Sequence, residues 1–264
     1  MPRLTWCQRA TVDGDPVLSD PTKADVSIQA SLGSFPKGGT AVVFGAGGGI
    51  GAAIANALLG DDCFETVSGY SRSSETPINF EDEESIVRAA ADVAASGDLR
   101  LVVDATGLLH EDNLGPEKSF KALDPAWLAR NFLVNAIGPA LIMKHTLPAL
   151  PRTGKSVFAT LSARVGSIGD NRLGGWYGYR ASKAALNQLV KTASIELARK
   201  CPQAACLAIH PGTVETGLSA QFLRGKENVQ LPEDAARNIL RTVDKLDHSH
   251  TGGFFDCEGR TIVW

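Results

Sequence analysis

The 264-residue sequence has little net charge and no long apolar run. Its 26 basic and 29 acidic side chains give a formal net charge of −3, so we expect neither a nucleic acid nor a membrane surface as partner. No apolar run approaches the roughly 20 residues of a membrane span. The first residues lack the apolar stretch of a signal peptide, and their acidic side chains argue against a transit peptide. We therefore expect a cytoplasmic protein.

The sequence also lacks paired cysteines and clustered metal ligands. Its five cysteines are odd in number and include no Cys-x-x-Cys pair, so we expect thiols in a reducing compartment rather than disulfides. Only His248 and His250 are close together among the histidines, and their polar surroundings are typical of solvated side chains. We predict no metal site.

The N-terminal part differs from the rest of the chain. Residues 1–38 are rich in proline, aspartate and serine and have no sustained periodicity, although Val26–Ala30 alternates and could form a short strand. We interpret residues 1–38 as a mostly irregular extension. Residues 39–264 are long enough for one large domain, and the 44% apolar content of the chain supports a sizeable core.

Apolar runs alternate with helical patterns from residue 40 onward. We predict strands at 40–44, 65–70, 99–105, 155–161 and 204–210, and helices at 52–59, 81–96, 122–150, 179–200 and 232–246. This alternation indicates an α/β fold with a single Rossmann-type, doubly wound parallel sheet and right-handed crossovers.

One crossover is too short for this pattern. Only four residues, Ser73 to Thr76, separate Arg72 from the apolar patch Pro77–Phe80. A parallel crossover needs roughly a dozen residues or more. We therefore predict that the crossover helix after the second strand is missing or reduced.

A glycine-rich turn follows the first buried strand. Residues 45–51 read Gly-Ala-Gly-Gly-Gly-Ile-Gly and lead directly into a helical pattern. Glycines permit a tight turn and let the backbone approach a pyrophosphate, which then meets the N–H groups at the helix N-terminus. Two spacings fit a dinucleotide-binding turn, Gly45-x-x-x-Gly49-x-Gly51 and Gly47-x-Gly49-x-x-Ala52.

The end of the second strand bears on which dinucleotide is bound. An NAD-binding unit would place a carboxylate there for the ribose 2′-hydroxyl. The sequence instead reads Tyr-Ser-Arg-Ser at residues 70–73, and the guanidinium of Arg72 suits a 2′-phosphate. We therefore favour NADPH (NADP) over NAD. The alternative is that Arg72 is an ordinary surface arginine.

Tyr179 and Lys183 form a candidate acid–base pair. A helix places side chains four residues apart on one face. A neighbouring ammonium would lower the pKa of a phenol from its usual value near ~10, which suits a general acid or base. Such a pair also arises by chance on solvated helices, and the upstream glycine turn is what favours the chemical interpretation.

With these motifs in this order, the sequence from about residue 39 resembles the short-chain dehydrogenase/reductase family. The runs Leu161–Ser167 and Tyr179–Lys183, together with the terminal Trp264, look most like its C-factor-like branch. The resemblance implies an enzyme that transfers hydride between a nicotinamide and a small carbonyl or alcohol substrate. It also implies a homodimer or homotetramer.

The resemblance implies a role for each matching residue. Tyr179 would exchange a proton with the substrate oxygen, Lys183 would hold the nicotinamide ribose, and Asn135 would anchor a water in a proton relay. The alternative for Asn135 is a polar residue bonded to its own helix. Cofactor-binding residues would be Gly45, Gly49, Ile50, Gly51, Arg72, Thr106, Gly107, Tyr179, Lys183, Pro211, Gly212, Val214 and Thr216.

Three positions depart from the family pattern. Phe44 stands where a threonine usually precedes the glycine turn, and Asp104 introduces a carboxylate at a position that is usually asparagine. The slot of the serine that polarises the substrate carbonyl holds Ala163. Ser162 is adjacent, but a shift of one residue on a strand reverses the side-chain direction. We favour Ser162 as the catalytic hydroxyl; Ser167, or a site without this hydroxyl, are the alternatives.

The segments around Tyr179 are expected to form the substrate entrance, and residues 219–230 occupy the position of a substrate lid. Candidate entrance residues are Trp176, Tyr177, Arg164 and Arg172. Because Ala163 and Asp104 weaken the family pattern, a second function stays open. It is a signalling or regulatory protein that binds the nucleotide but has lost useful turnover.

Overall fold

A computed structural model describes residues 32–225 and 227–264. Within these residues, six strands form one parallel sheet in the order β2-β1-β3-β4-β5-β6. The strands are β1 (Thr40–Phe44), β2 (Thr66–Tyr70), β3 (Leu99–Asp104), β4 (Ser156–Leu161), β5 (Ala204–His210) and β6 (Phe254–Asp256). Four of them are buried on both faces, which explains their continuous apolar sequences.

Helices cover both faces of the sheet. They are α1 (Gly49–Leu59), α2 (Glu83–Ala95), α3 (Pro125–Phe132), α4 (Gly138–Thr146), α5 (Tyr177–Lys200) and α6 (Pro232–Lys245). Alternate side chains of each strand enter two separate cores: Val43 packs with the α1 and α6 side, whereas Val42 packs with the α2, α4 and α5 side. The predicted doubly wound parallel sheet is confirmed.

No helix forms between the end of β2 and Phe80. The chain turns back after the strand, with the amide of Ile78 donating to the carbonyl of Ser71 at 3.0 Å. Asn79 and Asp82 form an isolated bridge, and Asp82 then caps α2 by accepting from the amide of Glu84. The chain passes through α2 directly to β3 on the other side of β1, and β2 is left as an edge strand. The prediction of a missing crossover helix is confirmed.

The helices α3 and α4 form one continuous helical segment. A π-helical turn, Leu133–Ile137, joins α3 to α4. The combined segment Pro125–Ala149 is long and apolar enough to cross a membrane, contrary to our expectation that no segment approaches that length. It packs against α2 and α5, and its polar residues Asn131 and Asn135 are buried. Core helices of globular proteins can have the same length and apolar content, so these two properties alone do not indicate a membrane span.

The residues just before β1 pack onto the sheet domain. Leu32 and Phe35 are buried, and the ring of Phe35 lies edge-on to Phe64 with centroids 5.5 Å apart. Ser34 donates from its amide and hydroxyl to the carboxylate of Asp244 in the last turn of α6. The possible strand at Val26–Ala30 lies outside the described residues. The division of the chain at residue 38 therefore stays a prediction.

Candidate active site

Three positions of the first turn leave no room for a side chain. Gly45 has a φ of 84°, and a Cβ on it would lie 2.8 Å from the carbonyl carbon of Ala105. A Cβ on Gly51 would lie 2.8 Å from the carbonyl carbon of Gly45, and one on Gly49 would lie 2.8 Å from Cγ2 of Thr216. The structure therefore supports the first predicted spacing rather than the second.

The glycine turn also leaves the start of α1 available to a ligand. The helix begins at Gly49, next to Ile50, and no side chain caps it and no acidic residue lies in its first turn. The N–H groups and the positive dipole end at such a terminus favour an anion. Phe44, at the departure from the family pattern, is buried and stacks on Tyr70 at 5.5 Å, so it fills the core below the turn.

A groove of about 650 Å³ runs along the carboxyl ends of the strands. It begins at the glycine turn and passes Arg72, together with Ser71 and Ser73, whose hydroxyls lie 3.2 Å apart. It then follows Thr106 and Gly107 after β3. Of the predicted cofactor residues, Gly45, Arg72, Thr106 and Gly107 line this groove, whereas Gly49, Ile50 and Gly51 lie at the start of α1 and are not among its lining residues. A dinucleotide fits this donor set, because backbone amides, hydroxyls and a guanidinium all favour phosphate groups.

Arg130 is a second guanidinium in the groove, and our sequence analysis missed it. Its Nε and Nη2 atoms each lie 3.1 Å from a carboxylate oxygen of Glu111, and its Nη1 lies 3.1 Å from Glu81. The hydrogen bonds from Arg130 hold the pKa of Glu111 below its usual value, and the nearby charge of Arg72 adds to this effect. No sequence signal links these residues, because the loop and helix that carry them meet only in the fold.

The segment after β5 closes over the groove. Gly212, which follows Pro211, has a φ of 86°, and a Cβ there would meet the amide of Gln230. The buried Val214 forms an isolated bridge with Gln230, and the segment from Val214 to Gln230, which contains the predicted lid at 219–230, is called the lid from here on. Thr216 follows beside Gly49 of the glycine turn. Of the predicted residues of this segment, Thr216 therefore faces the helix terminus to which the pyrophosphate was assigned.

Two further contacts hold the lid across the cleft. Leu218 lies over Gly107, with its Cδ2 atom 4.0 Å from the position of a Cβ on that glycine. The Nε2 atom of His110 lies 3.2 Å from the carbonyl oxygen of Gly217. The lid thus covers the inner end of the groove, next to the residues of the predicted acid–base pair.

Lys183 and Asn135 converge behind Gly107. A Cβ on Gly107 would lie 3.9 Å from Nζ of Lys183 and 3.7 Å from Oδ1 of Asn135. Lys183 is buried and donates to the carbonyl of Leu161, at the end of β4, at 2.8 Å. Tyr179 lies one turn earlier on the same face of α5 and is partly buried. The helix therefore presents both members of the pair toward the strand ends.

Lys183 does not lower the pKa of Tyr179, contrary to our prediction. Burial raises the pKa of Tyr179 to about 12, where we predicted a lowered value. Burial also lowers the pKa of Lys183 to about 8, although the negative charge of Asp104 opposes this change. The physical reason is that loss of water around both groups outweighs their mutual attraction, since no hydrogen bond joins the two described side chains.

Asn135 is fully buried and its amide is engaged by the loop after β3. Its Oδ1 accepts from the amide of Leu108 and its Nδ2 donates to the carbonyl of the same residue, both at 2.8 Å. Nδ2 also lies 3.2 Å from the hydroxyl of Ser182 on α5. The side chain thus fixes the loop of Gly107 against α5, and its Nδ2 atom also lies 3.4 Å from Oδ1 of Asn131, one turn earlier on the same helical segment. Its relay role stays a prediction.

Among the described residues, the hydrogen bonds of Ser162 and Ser167 go to partners other than Tyr179. The hydroxyl of Ser162 is buried and donates to Oδ1 of Asn187 at 2.6 Å. The hydroxyl of Ser167 accepts from the amide of Asp170 at 3.0 Å. The choice of Ser162 as the catalytic hydroxyl therefore stays a prediction. The adjacent Ala163 is also buried and offers only a methyl group.

Aromatic rings line the approach to Tyr179. Trp176 lies edge-on to Tyr179 at 6.1 Å and to Phe222 of the lid at 5.5 Å. Phe222 also lies 5.9 Å from the ring of His110. Trp176 has a φ of 55°, which is strained for a bulky residue, and its amide is held by the carbonyl of Glu117. Sequence analysis identified Trp176 as an entrance residue but did not identify the partners that hold it.

The predicted arginines of the entrance are engaged elsewhere or exposed. Arg164 lies 3.3 Å from Asp170 and 3.8 Å from Asp256. Arg172 is exposed and donates to the neighbouring carbonyl of Asn171 at 3.4 Å. The walls closest to Tyr179 are therefore aromatic rather than cationic.

Comparisons with known proteins agree with this geometry. The chain is 37% identical over 144 residues to C-signal from Myxococcus xanthus, which covers 54% of this chain and 81% of that protein. It is 30% identical over 191 residues to 1-hydroxy-2-glutathionyl-2-methyl-3-butene dehydrogenase from Rhodococcus sp. (strain AD45), covering 72% and 80% of the two chains.

Solved structures share the fold at lower identity. The NADPH-bound carbonyl reductase from chicken fatty liver superposes with a TM-score of 0.76 at 22% identity, over 89% of this chain and 98% of that one. The carbonyl reductase Sniffer of D. melanogaster gives 0.73 at 22% identity, over 86% and 100%. Residues 39–227 match the family described as short chain dehydrogenase. The chain belongs to this family, with the expected likeness to a C-factor-like protein, and is an NAD(P)-dependent oxidoreductase acting on a small molecule.

Proposed function

We propose that the protein is an NADPH-dependent reductase of small carbonyl compounds, with Tyr179 as its general acid. The observation that carries this proposal is the convergence of Lys183 and Asn135 behind Gly107, one helical turn from Tyr179 and at the inner end of the groove. In the reductive direction the bound nicotinamide supplies hydride to the carbonyl carbon. Tyr179 gives its phenolic proton to the oxygen, and Lys183 holds the nicotinamide ribose.

The neutral form of Tyr179 is the one that carbonyl reduction requires. A phenol with a pKa near 12 holds its proton at neutral pH, so it is ready to donate to an alkoxide that forms on the substrate. Oxidation of an alcohol would first require the phenolate, which burial disfavours. Tyr179 therefore starts in the protonated form that carbonyl reduction uses.

NADPH is proposed over NADH because of the end of β2. Arg72 and the hydroxyls of Ser71 and Ser73 line the groove beside Gly47. These groups would hold a 2′-phosphate through charge-assisted hydrogen bonds, while a carboxylate that would favour NAD is missing at this strand end. The NADPH bound in the chicken carbonyl reductase is consistent with this choice.

A second candidate is a nucleotide-binding regulatory protein with little turnover. Ala163 favours it, because loss of one donor to a developing oxyanion can cost roughly 10²–10³ in rate. The relative named C-signal also favours it. NADPH oxidation over a panel of aldehydes and ketones separates the two candidates. Reductase activity predicts turnover that requires Tyr179, whereas the regulatory function predicts NADPH binding with no turnover of any carbonyl.

We also propose that the protein is a cytoplasmic homodimer or homotetramer. Ile137 after α3 and Ile195 on α5 are about half exposed, at 47% and 51%, although they belong to apolar helical segments. A second copy would cover such side chains. Light scattering of the purified protein should give a mass of two or four chains, and a monomer at micromolar concentration would contradict this proposal.

A further inference from the structure

Asp104 is a fully buried carboxylate at the end of β3, where the family usually has an asparagine. Its Oδ2 accepts from the hydroxyl of Thr160 at 2.6 Å. Its Oδ1 accepts from the hydroxyl of Thr106 at 2.6 Å and from the amide of the same residue at 3.1 Å. Burial of a carboxylate is costly unless it is hydrogen-bonded and paired with a positive charge. The three donors supply the hydrogen bonds but no charge.

The positive charge is supplied by α5. Asp104 follows Val102 by two residues, so its side chain lies on the same face of the sheet as α5. Thr160, which holds the carboxylate, is paired with Asp104 in the neighbouring strand. The next residue along that strand, Leu161, accepts the hydrogen bond of Lys183. The ammonium and the carboxylate are therefore held by successive residues of β4.

We propose that Asp104 is the buried counter-charge that keeps Lys183 protonated, and so acts as a positioning residue for the site. It does not touch the reacting atoms and works only through the lysine. The inference depends on the proposed function in one respect, which is that Lys183 takes part in the reaction. An asparagine in this place could make similar hydrogen bonds but would leave the lysine without a negative partner.

The directions of the two pKa values are consistent with a coupled pair. Burial lowers the pKa of Lys183 to about 8 and Asp104 opposes this change. Burial raises the pKa of Asp104, whereas the hydrogen bonds of Thr106 and Thr160 and the charge of Lys183 oppose that change. Removing the carboxylate charge must therefore lower the pKa of Lys183 further.

Other charged groups around Lys183 do not replace Asp104. On α5 itself the titratable neighbour is Tyr179, which is neutral at working pH. The π-helical turn contributes the uncharged Asn135. In the turn after β4, Arg164 pairs with Asp170 and Asp256. Arg130 of α3 pairs with Glu111 and Glu81. Within the described residues, Asp104 is the acid whose charge acts on Lys183.

The variant Asp104→Asn tests this role through the pH profile of kcat. Because neutral Lys183 cannot perform its task, kcat should fall as the pH rises through the pKa of the lysine. In Asp104→Asn this alkaline limb should move to lower pH by about one unit, the effect of losing a nearby opposite charge. Thr160→Val is the matched control, since it removes one hydrogen bond of Asp104 but keeps the carboxylate. Its limb should stay at the wild-type pH.

A merely structural role predicts a different pattern. Both variants would then lower the thermal midpoint and neither would move the alkaline limb. An unmoved limb in a folded Asp104→Asn protein overturns the proposal. An equal movement in the Thr160→Val control also overturns it, because the carboxylate charge would then not be the cause.

A titration that needs no activity tests the same coupling from the other side. Coupling between two sites is reciprocal, so Lys183→Met should raise the pKa of the Asp104 carboxyl. The ¹³C resonances of labelled aspartate carboxyls report this pKa in the whole protein. A rise relative to wild type supports the proposal even if no substrate is turned over, or if Asp104→Asn does not fold. An unchanged Asp104 titration overturns it whether or not the protein is a reductase.

Discussion

The hydroxyl of Ser162 donates to the side-chain oxygen of Asn187 over 2.6 Å, and both groups are buried. Asn187 lies two helical turns beyond Tyr179 on α5, a distance of about 12 Å along the axis. Ser162 therefore braces β4 against α5, and the position expected to polarise the substrate carbonyl is occupied by Ala163.

Ser162→Ala should destabilise the protein without abolishing catalysis. The substitution leaves the buried oxygen of Asn187 without its donor, which costs about 1–3 kcal/mol of unfolding free energy. Denaturant unfolding measures this loss, and kcat of the folded variant should stay close to wild type. A large loss of kcat at full folding would mean that the hydroxyl turns toward the substrate after all.

Ala163→Ser should make the enzyme faster. A hydroxyl at this position restores a donor for the developing oxyanion, and the gain can reach roughly 10²-fold in kcat. Ala163→Gly is the matched control, because it alters the same backbone position without adding a donor. If the serine and glycine variants have the same kcat, the slot does not face the reacting carbonyl.

Arg72→Ala should shift the cofactor preference toward NADH. Loss of a charge-assisted hydrogen bond to the 2′-phosphate should weaken NADPH binding by about 10–100-fold, and NADH, which has no such phosphate, should bind as before. Arg88→Ala is a suitable control, since Arg88 is an exposed arginine on α2 that pairs with Asp82. Equal weakening of both cofactors by Arg72→Ala would contradict the assigned contact.

Phe222→Ala should raise KM for aromatic carbonyl substrates. The ring packs on Trp176 and His110, so its loss opens the lid over the reacting centre, and the lost aromatic contacts correspond to about a 2–10-fold effect. Phe120→Ala is the control, because Phe120 is 66% exposed and makes no described ring contact. Steady-state kinetics with benzaldehyde and NADPH measure both. If Phe222→Ala and Phe120→Ala have the same KM, the lid does not contact the substrate.

The sequence was sufficient for the parts of the fold that depend on local pattern. The four residues between Arg72 and Pro77 could not hold a crossover helix, and the structure has none there. The glycine spacing was also informative, because a Cβ on Gly45 or Gly51 would clash with nearby backbone and one on Gly49 would clash with the side chain of Thr216. Such constraints act within a few residues or recur with a fixed spacing, which is why they can be recognised in one sequence.

Side-chain direction and long-range pairing could not be predicted. Nothing near Ser162 in sequence shows that its partner is Asn187, on a helix that follows after a loop. The pairing of Arg130 with Glu111 likewise depends on how α3 packs beside the groove. The pKa of Tyr179 was predicted in the wrong direction, because spacing on a helix gives proximity to Lys183 but not the loss of water around the phenol.

The central claim is that the phenol of Tyr179 provides the proton, and one pair of variants tests it most directly. Tyr179→Phe removes the hydroxyl and keeps the ring, so kcat for carbonyl reduction should fall by about 10²–10⁴ while NADPH still binds. Tyr177→Phe makes the same chemical change two residues away on a side chain that is 38% exposed, and it should leave kcat unchanged. Equal kcat values for Tyr179→Phe and wild type, with NADPH bound to both, would contradict the account.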